Sequence, residues 1–240
     1  MSPLRISLVV SAHNEERFIG ASLDAAIQNS AGKLYEIIVV DNASTDRTAE
    51  IAKRRKGVRV VREEPRGTNH ARQRGVDETS GEIVAFIDAD VHIPKGWVEN
   101  IHAIFSTRPE VVSVSGPYHY YDGPRFQSQL IVLLWRLIPI VNRLVGYVVL
   151  GGNFAARRSA IVAMGGFNTA LEFYGDDTDI ARRLHTQGKV LFHSDFFVDS
   201  SYRRYATEGL CMTLFHYTIN YIWTVLFHRP FTRPPQRLER

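Results

Sequence analysis

The sequence is poor in the features that would place it outside ordinary globular proteins. Its 240 residues contain a single cysteine, Cys211, so no disulfide can form within the chain. The N-terminus lacks the basic, apolar and small-residue succession of a signal peptide, and we expect a reducing, cytoplasmic location. With 45% hydrophobic and 22% charged residues, the chain is neither disordered nor collagen-like, and its length suits one main domain.

Two familiar nucleotide-binding patterns are also absent. No G-x-G-x-x-G follows the first predicted strand and no G-x-x-x-x-G-K-[ST] segment occurs, which argues against Rossmann dehydrogenases and P-loop NTPases. The net charge of +4 is modest, and acidic residues are interleaved with the basic ones in the first half. Because the pattern of an aromatic platform is missing as well, we expect no nucleic-acid partner.

Short β-branched runs alternate with polar, helix-forming stretches in the N-terminal half. This alternation predicts βαβ units, and therefore an α/β fold with a Rossmann-like, mostly parallel sheet flanked by helices. The predicted strands are residues 6–10, 37–40, 58–61, 83–87 and 111–114. Helices are predicted to start near Thr45/Asp46, Thr68 and Asp176. Ligands of such sheets bind beyond the carboxyl ends of the strands, so the residues there are the candidates for function.

Polar clusters follow the first two predicted strands. The first strand leads into residues 11–16, which include Asn14 and Glu15, and the second leads into residues 41–46, which begin with Asp41. A carboxylate at the end of the second strand can accept hydrogen bonds from the base or ribose of a nucleotide. Asn14 and Asp41 can equally be turn and cap residues, and both interpretations stay open.

Two aspartates, Asp88 and Asp90, come directly after the fourth predicted strand, with Ala89 between them. Like charges at this spacing repel each other, so we expect a cation or ligand to compensate them. Oxygen ligands suit Mg²⁺ or Mn²⁺, which bind one or two protein carboxylates together with the phosphates of a substrate. The segment therefore predicts a divalent metal held against a diphosphate.

The order of these motifs resembles that of the family 2 glycosyltransferases, which have the GT-A fold. The resemblance spans roughly residues 5 to 205. Residues 12–16 are similar to the family's Pro-Ala-Tyr-Asn-Glu-Glu, and residues 39–46 are similar to its Val-Val-Asp-Asp-Gly-Ser-Thr-Asp. Further matches are Gly67 to Gly75 with Ala71-Arg72-Gln73, Asp88-Ala89-Asp90, Gly165-Gly166-Phe167 and Gly175-Asp176-Asp177.

The resemblance implies a metal-assisted transfer, with inversion, of a sugar from a UDP- or GDP-linked donor to an acceptor hydroxyl. Asp177 is implied as the general base, and its neighbour Asp176 is expected to cap the helix that starts there. The resemblance implies that Asp90 binds the metal directly and that Asp88 faces either the ribose or the metal. The residues implied to bind the donor are Ala12, Asn14, Glu15, Asp41, Ser44, Gly67, Arg72, Asp88 and Ala89.

The chain departs from the family pattern at three places. Asn42 replaces a common second aspartate, Gln73 replaces an asparagine, and residues 198–201 lack a histidine that is often present. We consider His92 as a replacement metal ligand, although a lone histidine more often makes a local hydrogen bond.

Two apolar segments bear on the location of the protein. In residues 126–150, Arg136 and Arg143 share a helical face with Arg125, and Pro139 is expected to kink the helix. Residues 210–227 are uncharged, with Thr213, His216, Asn220 and Thr224 on one face and Arg203, Arg204, Arg229, Arg233 and Arg237 flanking them. We expect peripheral association with the inner face of the cell membrane. The alternative is a helix that packs on the sheet and exposes its arginines to solvent.

We thus predict a catalytic domain over residues 1–205, followed by an apolar helix and basic tail over residues 206–240. The expected acceptor is a lipid-linked molecule or a cell-envelope glycan. Two other functions compete: a nucleotidyltransferase, which would need a basic glycine-rich loop where residues 11–20 are acidic, and a non-catalytic sugar-nucleotide-binding subunit of a membrane complex.

Overall fold

The computed structural model describes residues 4–171 and 174–232, in which two β-sheets form the framework. The larger sheet contains β1 (Ile6–Ala12), β2 (Glu36–Asn42), β3 (Val58–Glu63), β4 (Ile83–Asp88), β6 (Val111–Ser115), β8 (Asn153–Arg157) and β9 (Lys189–Phe192). Its strand order is β3-β2-β1-β4-β8-β6-β9. The smaller sheet contains β5 (Val91–His92), β7 (Tyr118–Tyr120) and β10 (Val198–Ser200).

The strands β1, β2 and β4 of the larger sheet are parallel and buried on both faces, whereas β3 lies at the edge and is partly exposed. In β1, Leu8 and Val10 contribute to one hydrophobic cluster and Val9 to the cluster on the opposite face, and all three side chains are fully buried. Strands buried in this way read as continuous apolar runs. All five predicted strands are confirmed. The exception to parallel pairing is β8, which lies antiparallel between β4 and β6 and was not predicted.

Helices cover both faces of this sheet. They are α1 (Ile19–Asn29), α2 (Thr48–Lys53), α3 (Thr68–Glu78), α4 (Trp97–Thr107), α7 (Arg158–Ala163) and α8 (Asp176–His185). Apolar residues of α1 and α4, including Leu23 and Trp97, pack on one face, while Val76 of α3 and Leu184 of α8 pack on the other. The predicted starts of α3 and α8 are confirmed.

Four helices lie in the C-terminal half outside this arrangement: α5 (Arg125–Trp135), α6 (Ile138–Val145), α9 (Arg203–Glu208) and α10 (Leu210–Phe227). The expected single kinked helix is instead two helices that break at Arg136 and Leu137. Pro139 lies in the first turn of α6, where its missing N–H leaves no hydrogen bond unmade. Arg125, Arg136 and Arg143 are all exposed.

Within the part of the chain that the structure describes, two segments are long and apolar enough to cross a membrane by length and composition. They are Arg125–Val145, with a mean hydropathy of 1.4, and Leu210–Phe227, with a mean hydropathy of 1.2. In the second segment, α10, polar side chains are buried and apolar side chains are exposed, which is the opposite of a surface helix in a soluble protein. Its buried residues are Thr213, Asn220 and Thr224, whereas Phe215 and Leu226 are 58% and 63% exposed. The predicted polar face of α10 therefore points into the protein. Of the arginines predicted to flank this helix, Arg233 and Arg237 lie outside the described residues.

Candidate functional site

The carboxyl ends of β1, β2 and β4 meet at one edge of the larger sheet. Ala12 at the end of β1 is in register with Asp41, and Ser11 is in register with Asp88. Parallel pairing thus brings residues from distant parts of the sequence to one cleft. The small sheet adds to the same region, since β5 follows Asp90 directly.

The loops after β1 and β2 are joined by hydrogen bonds of their own side chains. Asn14 and Ala43 both have a positive φ, so each loop turns sharply after its strand. Asn14 Oδ1 accepts from Thr45 N at 2.8 Å, and Asn14 N donates to Ser44 Oγ at 3.0 Å. The predicted donor-binding residues Asn14 and Ser44 therefore shape the cleft through these contacts.

Asp41 lies beneath these loops with only 1% of its surface exposed. Its Oδ2 pairs with Arg62 Nη1 at 2.9 Å. Its Oδ1 is buried and accepts no hydrogen bond from any residue in the described ranges. A buried acceptor without a donor is costly, so this oxygen is suited to a ligand N–H or O–H.

Asn42 explains one departure from the family pattern. Its Nδ2 donates to the backbone oxygens of Glu63 and Pro65, at 3.1 and 2.6 Å, and its Oδ1 accepts from Gly67 N at 2.8 Å. A carboxylate could not donate the first two bonds. Asn42 thereby fixes the loop from β3 to α3, where the predicted site residue Gly67 directly precedes α3.

His13 lies at the edge of the same cleft and holds a basic residue, Arg66, beside it. Its Nδ1 lies 2.6 Å from Asn42 O and its Nε2 lies 2.8 Å from Arg66 Nη2. Because a carbonyl oxygen only accepts, Nδ1 carries the proton and Nε2 accepts from the arginine. Arg66 is thus held at the edge of the nucleoside pocket that the sequence predicts.

Arg72 is the buried cation at the centre of the cleft, with 4% of its side chain exposed. Its Nη1 contacts Asp176 Oδ2 at 3.0 Å and Asp177 Oδ1 at 3.2 Å. Its Nη2 lies 3.9 Å from Asp88 Oδ1. Arg72 was expected near the nucleoside or the phosphates, and in the structure it joins α3 to the acids of β4 and α8.

The two aspartates at the start of α8 both turn to Arg72, which was not expected of Asp176. Asp176 is not the helix cap: the N-cap is Gly175, without a side-chain cap bond, because the Asp176 carboxylate turns to Arg72. Burial, and then repulsion by Asp176, raises the pKa of Asp177 to about 7, although Arg72 opposes the shift. A carboxylate with this pKa can hold a proton near neutral pH, as a general base requires.

Gly151 and Gly152 allow the acids to approach the backbone. A Cβ at Gly151 would lie 2.1 Å from both Asp177 Oδ1 and Arg72 Nη2, and a Cβ at Gly152 would lie 2.3 Å from Asp88 Oδ2. Gly152 N also donates to the hydroxyl of Tyr118 at 2.9 Å. Sequence reasoning missed these residues as parts of the site, although a Gly-Gly pair just before a buried strand was a usable signal.

The predicted metal ligands Asp88 and Asp90 lie at the turn between β4 and β5 and repel each other. Burial raises the pKa of both carboxyls; Arg72 opposes the shift at Asp88, and Arg203 opposes it at Asp90. Repulsion by Asp90 and Asp176 adds to the rise in the pKa of Asp88, and repulsion by Glu15 adds to the rise in the pKa of Asp90. Ala89 between them is buried. Two oxygen ligands of this kind fit Mg²⁺ or Mn²⁺ that is completed by substrate phosphates.

His92 does not join these aspartates in one metal-binding group. Its ring stacks on Tyr121 with a centroid distance of 4.7 Å and an interplanar angle of 5°. Within residues 4–171 and 174–232, no cluster of three His, Cys, Asp or Glu side chains could hold a metal ion. The structure thus gives no support to His92 as a third ligand beside Asp88 and Asp90.

The chain matches a known protein family. The family model described as glycosyl transferase family 2 matches residues 7–164. The Haloferax volcanii glycosyltransferase AglE is 30% identical over 49% of this chain and 41% of its own length. The glucosyl-dolichyl phosphate glucuronosyltransferase of the same organism is 24% identical over 85% of this chain and 72% of its own length.

Among solved structures, the mannosyltransferase PcManGT of Pyrobaculum calidifontis, in complex with GDP-Man and Mn²⁺, superposes with a TM-score of 0.72. It is 21% identical, and the match covers 98% of this chain and 67% of PcManGT. The predicted GT-A fold is thereby confirmed. This chain matches less than half the length of AglE, so the activity of the whole relative does not transfer directly.

Replacing Arg72 by Met should lower the free energy of unfolding by about 3 kcal/mol, because Asp176, Asp177 and Asp88 lose their buried counter-ion. This value is at the low end for a broken buried pair, since 38% of the Asp177 side chain is exposed. The measurement is urea denaturation. Arg74→Met is the control: Arg74 is on the same helix, is 40% exposed and pairs with Glu78, and its loss should cost about 1 kcal/mol or less. Equal costs for both variants would contradict this account.

Proposed function

This chain belongs to glycosyl transferase family 2, and we propose that it transfers a sugar, with inversion, from a nucleoside diphosphate donor to an acceptor hydroxyl. The catalytic unit is residues 1–205, and the site is the cleft at the carboxyl ends of β1, β2 and β4. The other candidates, a nucleotidyltransferase and a non-catalytic binding subunit, have no specific observation in their favour.

One observation carries the proposal: the buried acceptor Asp41 Oδ1 lies at the same sheet edge as Asp88 and is joined to it through β1. An oxygen that lacks a donor suits the ring N–H of uracil or guanine. The diphosphate of such a nucleotide then extends along the edge toward Asp88 and Asp90. This places the reacting sugar near Asp177, the third carboxylate around Arg72.

The mechanism is a single displacement in which Asp177 accepts the proton of the acceptor hydroxyl. Arg72 holds the Asp177 carboxylate in place and offsets the repulsion from Asp176. The pKa of about 7 suits a base that works near neutral pH. Held by Asp88 and Asp90, Mg²⁺ or Mn²⁺ would supply positive charge to the departing diphosphate.

We further propose that the protein lies on the inner face of the cell membrane and uses a lipid-linked acceptor. The helices α5, α6 and α10 contain no Asp or Glu. We treat them as one layer, since Trp135 of α5 and Leu210 and Leu214 of α10 pack against the same buried cluster, and Tyr221 of α10 donates to Tyr147 O just beyond α6. Exposed apolar residues of this layer are Phe126, Leu130, Leu133, Leu134, Leu137, Ile140, Leu144, Met212, Phe215, Ile222, Leu226 and Phe227.

This membrane layer, α5, α6 and α10, is suited to lipid for two reasons. Its apolar residues point outward, and burying one Leu or Phe from water is worth about 1.5–3 kcal/mol. Its exposed arginines, Arg125, Arg136, Arg143 and Arg229, add attraction to anionic headgroups. A relative named for a dolichyl phosphate substrate supports a lipid-linked acceptor in preference to a cell-envelope glycan.

Asp177→Asn should lower turnover by at least about 100-fold and leave nucleotide binding intact, because the amide cannot accept the acceptor's proton. The assay is sugar transfer from UDP- and GDP-linked donors in the presence of Mn²⁺. In the unaltered protein, transfer should fall as the pH drops below about 7, where Asp177 becomes protonated. The control is the exposed Asp195→Asn. Near-normal turnover of the Asp177 variant would exclude it as the base.

Asp41→Asn should weaken binding of the donor nucleoside diphosphate by about tenfold to a hundredfold, because an acceptor for the ring N–H is replaced by a competing donor. Isothermal titration calorimetry with UDP and GDP measures this effect. Asp24→Asn is the matched control, since Asp24 pairs with Arg55 with half of its side chain exposed. If both variants bind as the unaltered protein does, Asp41 does not contact the base.

Leu226→Glu should weaken binding to vesicles of phosphatidylglycerol and phosphatidylcholine by at least about tenfold, because the variant puts a charge where an apolar side chain enters the lipid. Flotation at low salt measures the bound fraction. Val162→Glu is the control, since Val162 on α7 is 56% exposed but outside the membrane layer. A parent protein that stays unbound to these vesicles would refute membrane association.

A further inference from the structure

Arg203 lies across the metal end of the cleft. It is the first residue of α9, and its guanidinium contacts Glu15 in two places, with Nη1 at 2.8 Å from Oε2 and Nη2 at 2.6 Å from Oε1. Its Nε lies 2.9 Å from Asp90 Oδ2. The guanidinium also stacks over the ring of Phe18 at 4.7 Å. One side chain therefore joins α9 to the loop after β1 and to the aspartate that follows β4.

This arrangement compensates two poorly hydrated acids. The side chains of Asp90 and Glu15 are only 11% and 14% exposed, so leaving both without a cation would be unfavourable. Arg203 itself is 42% exposed, so one side of its guanidinium faces open solvent. It can leave the acids without crossing a packed interior.

A divalent metal on Asp90 would stand close to Arg203. A Mg²⁺ or Mn²⁺ ligand bond is about 2.0–2.1 Å long, and Arg203 Nε lies 2.9 Å from Asp90 Oδ2. The two cations on this oxygen would therefore be no more than about 5 Å apart and would repel each other. Each of them thus weakens the binding of the other to Asp90.

The backbone of α9 is anchored separately from the side chain. Ser201 Oγ donates to Asp122 Oδ2 at 2.7 Å, and Arg203 N donates to Ser201 Oγ at 3.3 Å. Tyr205 packs with Tyr202 and Ile131 in the cluster under α5. Release of the guanidinium therefore needs a rotation of the Arg203 side chain, while the helix stays in place.

We propose that Arg203 is a resident counter-cation that competes with the divalent metal for Asp90 and swings out of the cleft when the metal binds. This inference rests on the proposed function, because the metal belongs to that reaction. In the empty site the arginine holds the acids together and keeps the cleft bridged. Metal binding then opens the bridge between α9 and the loop after β1.

The test is Mn²⁺ binding without nucleotide, measured from the loss of the free-ion signal in electron paramagnetic resonance. Arg203→Met should bind Mn²⁺ about tenfold more tightly than the parent, because the competing cation is gone. Arg203→Lys should lie between the two, since it keeps the charge and loses the planar fork. Arg47→Met is the control: Arg47 pairs with Glu16, next to Glu15, and is 74% exposed.

Equal or weaker Mn²⁺ binding by Arg203→Met would overturn the proposal, as would a parent and variant that both fail to bind the ion. A second measurement needs no loss of the side chain. In the unaltered protein, the Nε–H resonance of Arg203, assigned by its absence in Arg203→Lys, should shift on addition of Mg²⁺, and an unchanged resonance under saturating Mg²⁺ would also overturn the proposal. The transfer assay judges the proposed function independently, because Mn²⁺ competition can hold in a protein that transfers no sugar.

Discussion

The ion pairs of Arg72 are the interaction on which the cleft depends. Asp88 ends a buried strand and Asp176 and Asp177 begin a helix, so their mutual repulsion would separate β4 from α8 if no cation lay between them. Arg72 reaches all three from α3, where it is almost fully buried. Gly151 and Gly152 complete the arrangement, because only residues without a Cβ leave room for these groups. A charged centre thus adds to the hydrophobic packing between these elements.

Sequence patterns predicted the features of this protein that depend on residues close together in the chain. Continuous apolar runs located the first strands, and polar residues at their ends located Asp41, Asp88 and Asp90. The same patterns did not reveal which charged side chains pair with each other. Asp176 has the pattern of a helix cap, yet its carboxylate turns to an arginine 104 residues earlier in the chain. No local rule could choose between the N-terminus of the helix and the arginine as the partner of Asp176, since each of them stabilises a negative charge.

The C-terminal helices show the same limit at a larger scale. The polar face of α10 was visible in the sequence, but which face is buried depends on the surface beneath it. A Cβ on Gly175 would lie 2.6 Å from Thr224 Oγ1, so α10 packs closely on the first turn of α8. Small polar residues fit there and large apolar ones do not. The apolar residues of α10 are therefore left outside, which a hydropathy pattern alone cannot reveal.

The bridge made by Arg203 has a consequence for how the chain matures. The acids Glu15 and Asp90 leave the ribosome early, whereas their cation emerges only after most of the sheet has been synthesised. Domains generally begin to fold from the N-terminus during synthesis. The acidic end of the cleft consequently stays open to solvent in the nascent protein. It closes only after β10, the last strand of the small sheet, and α9 have been synthesised and have folded into place.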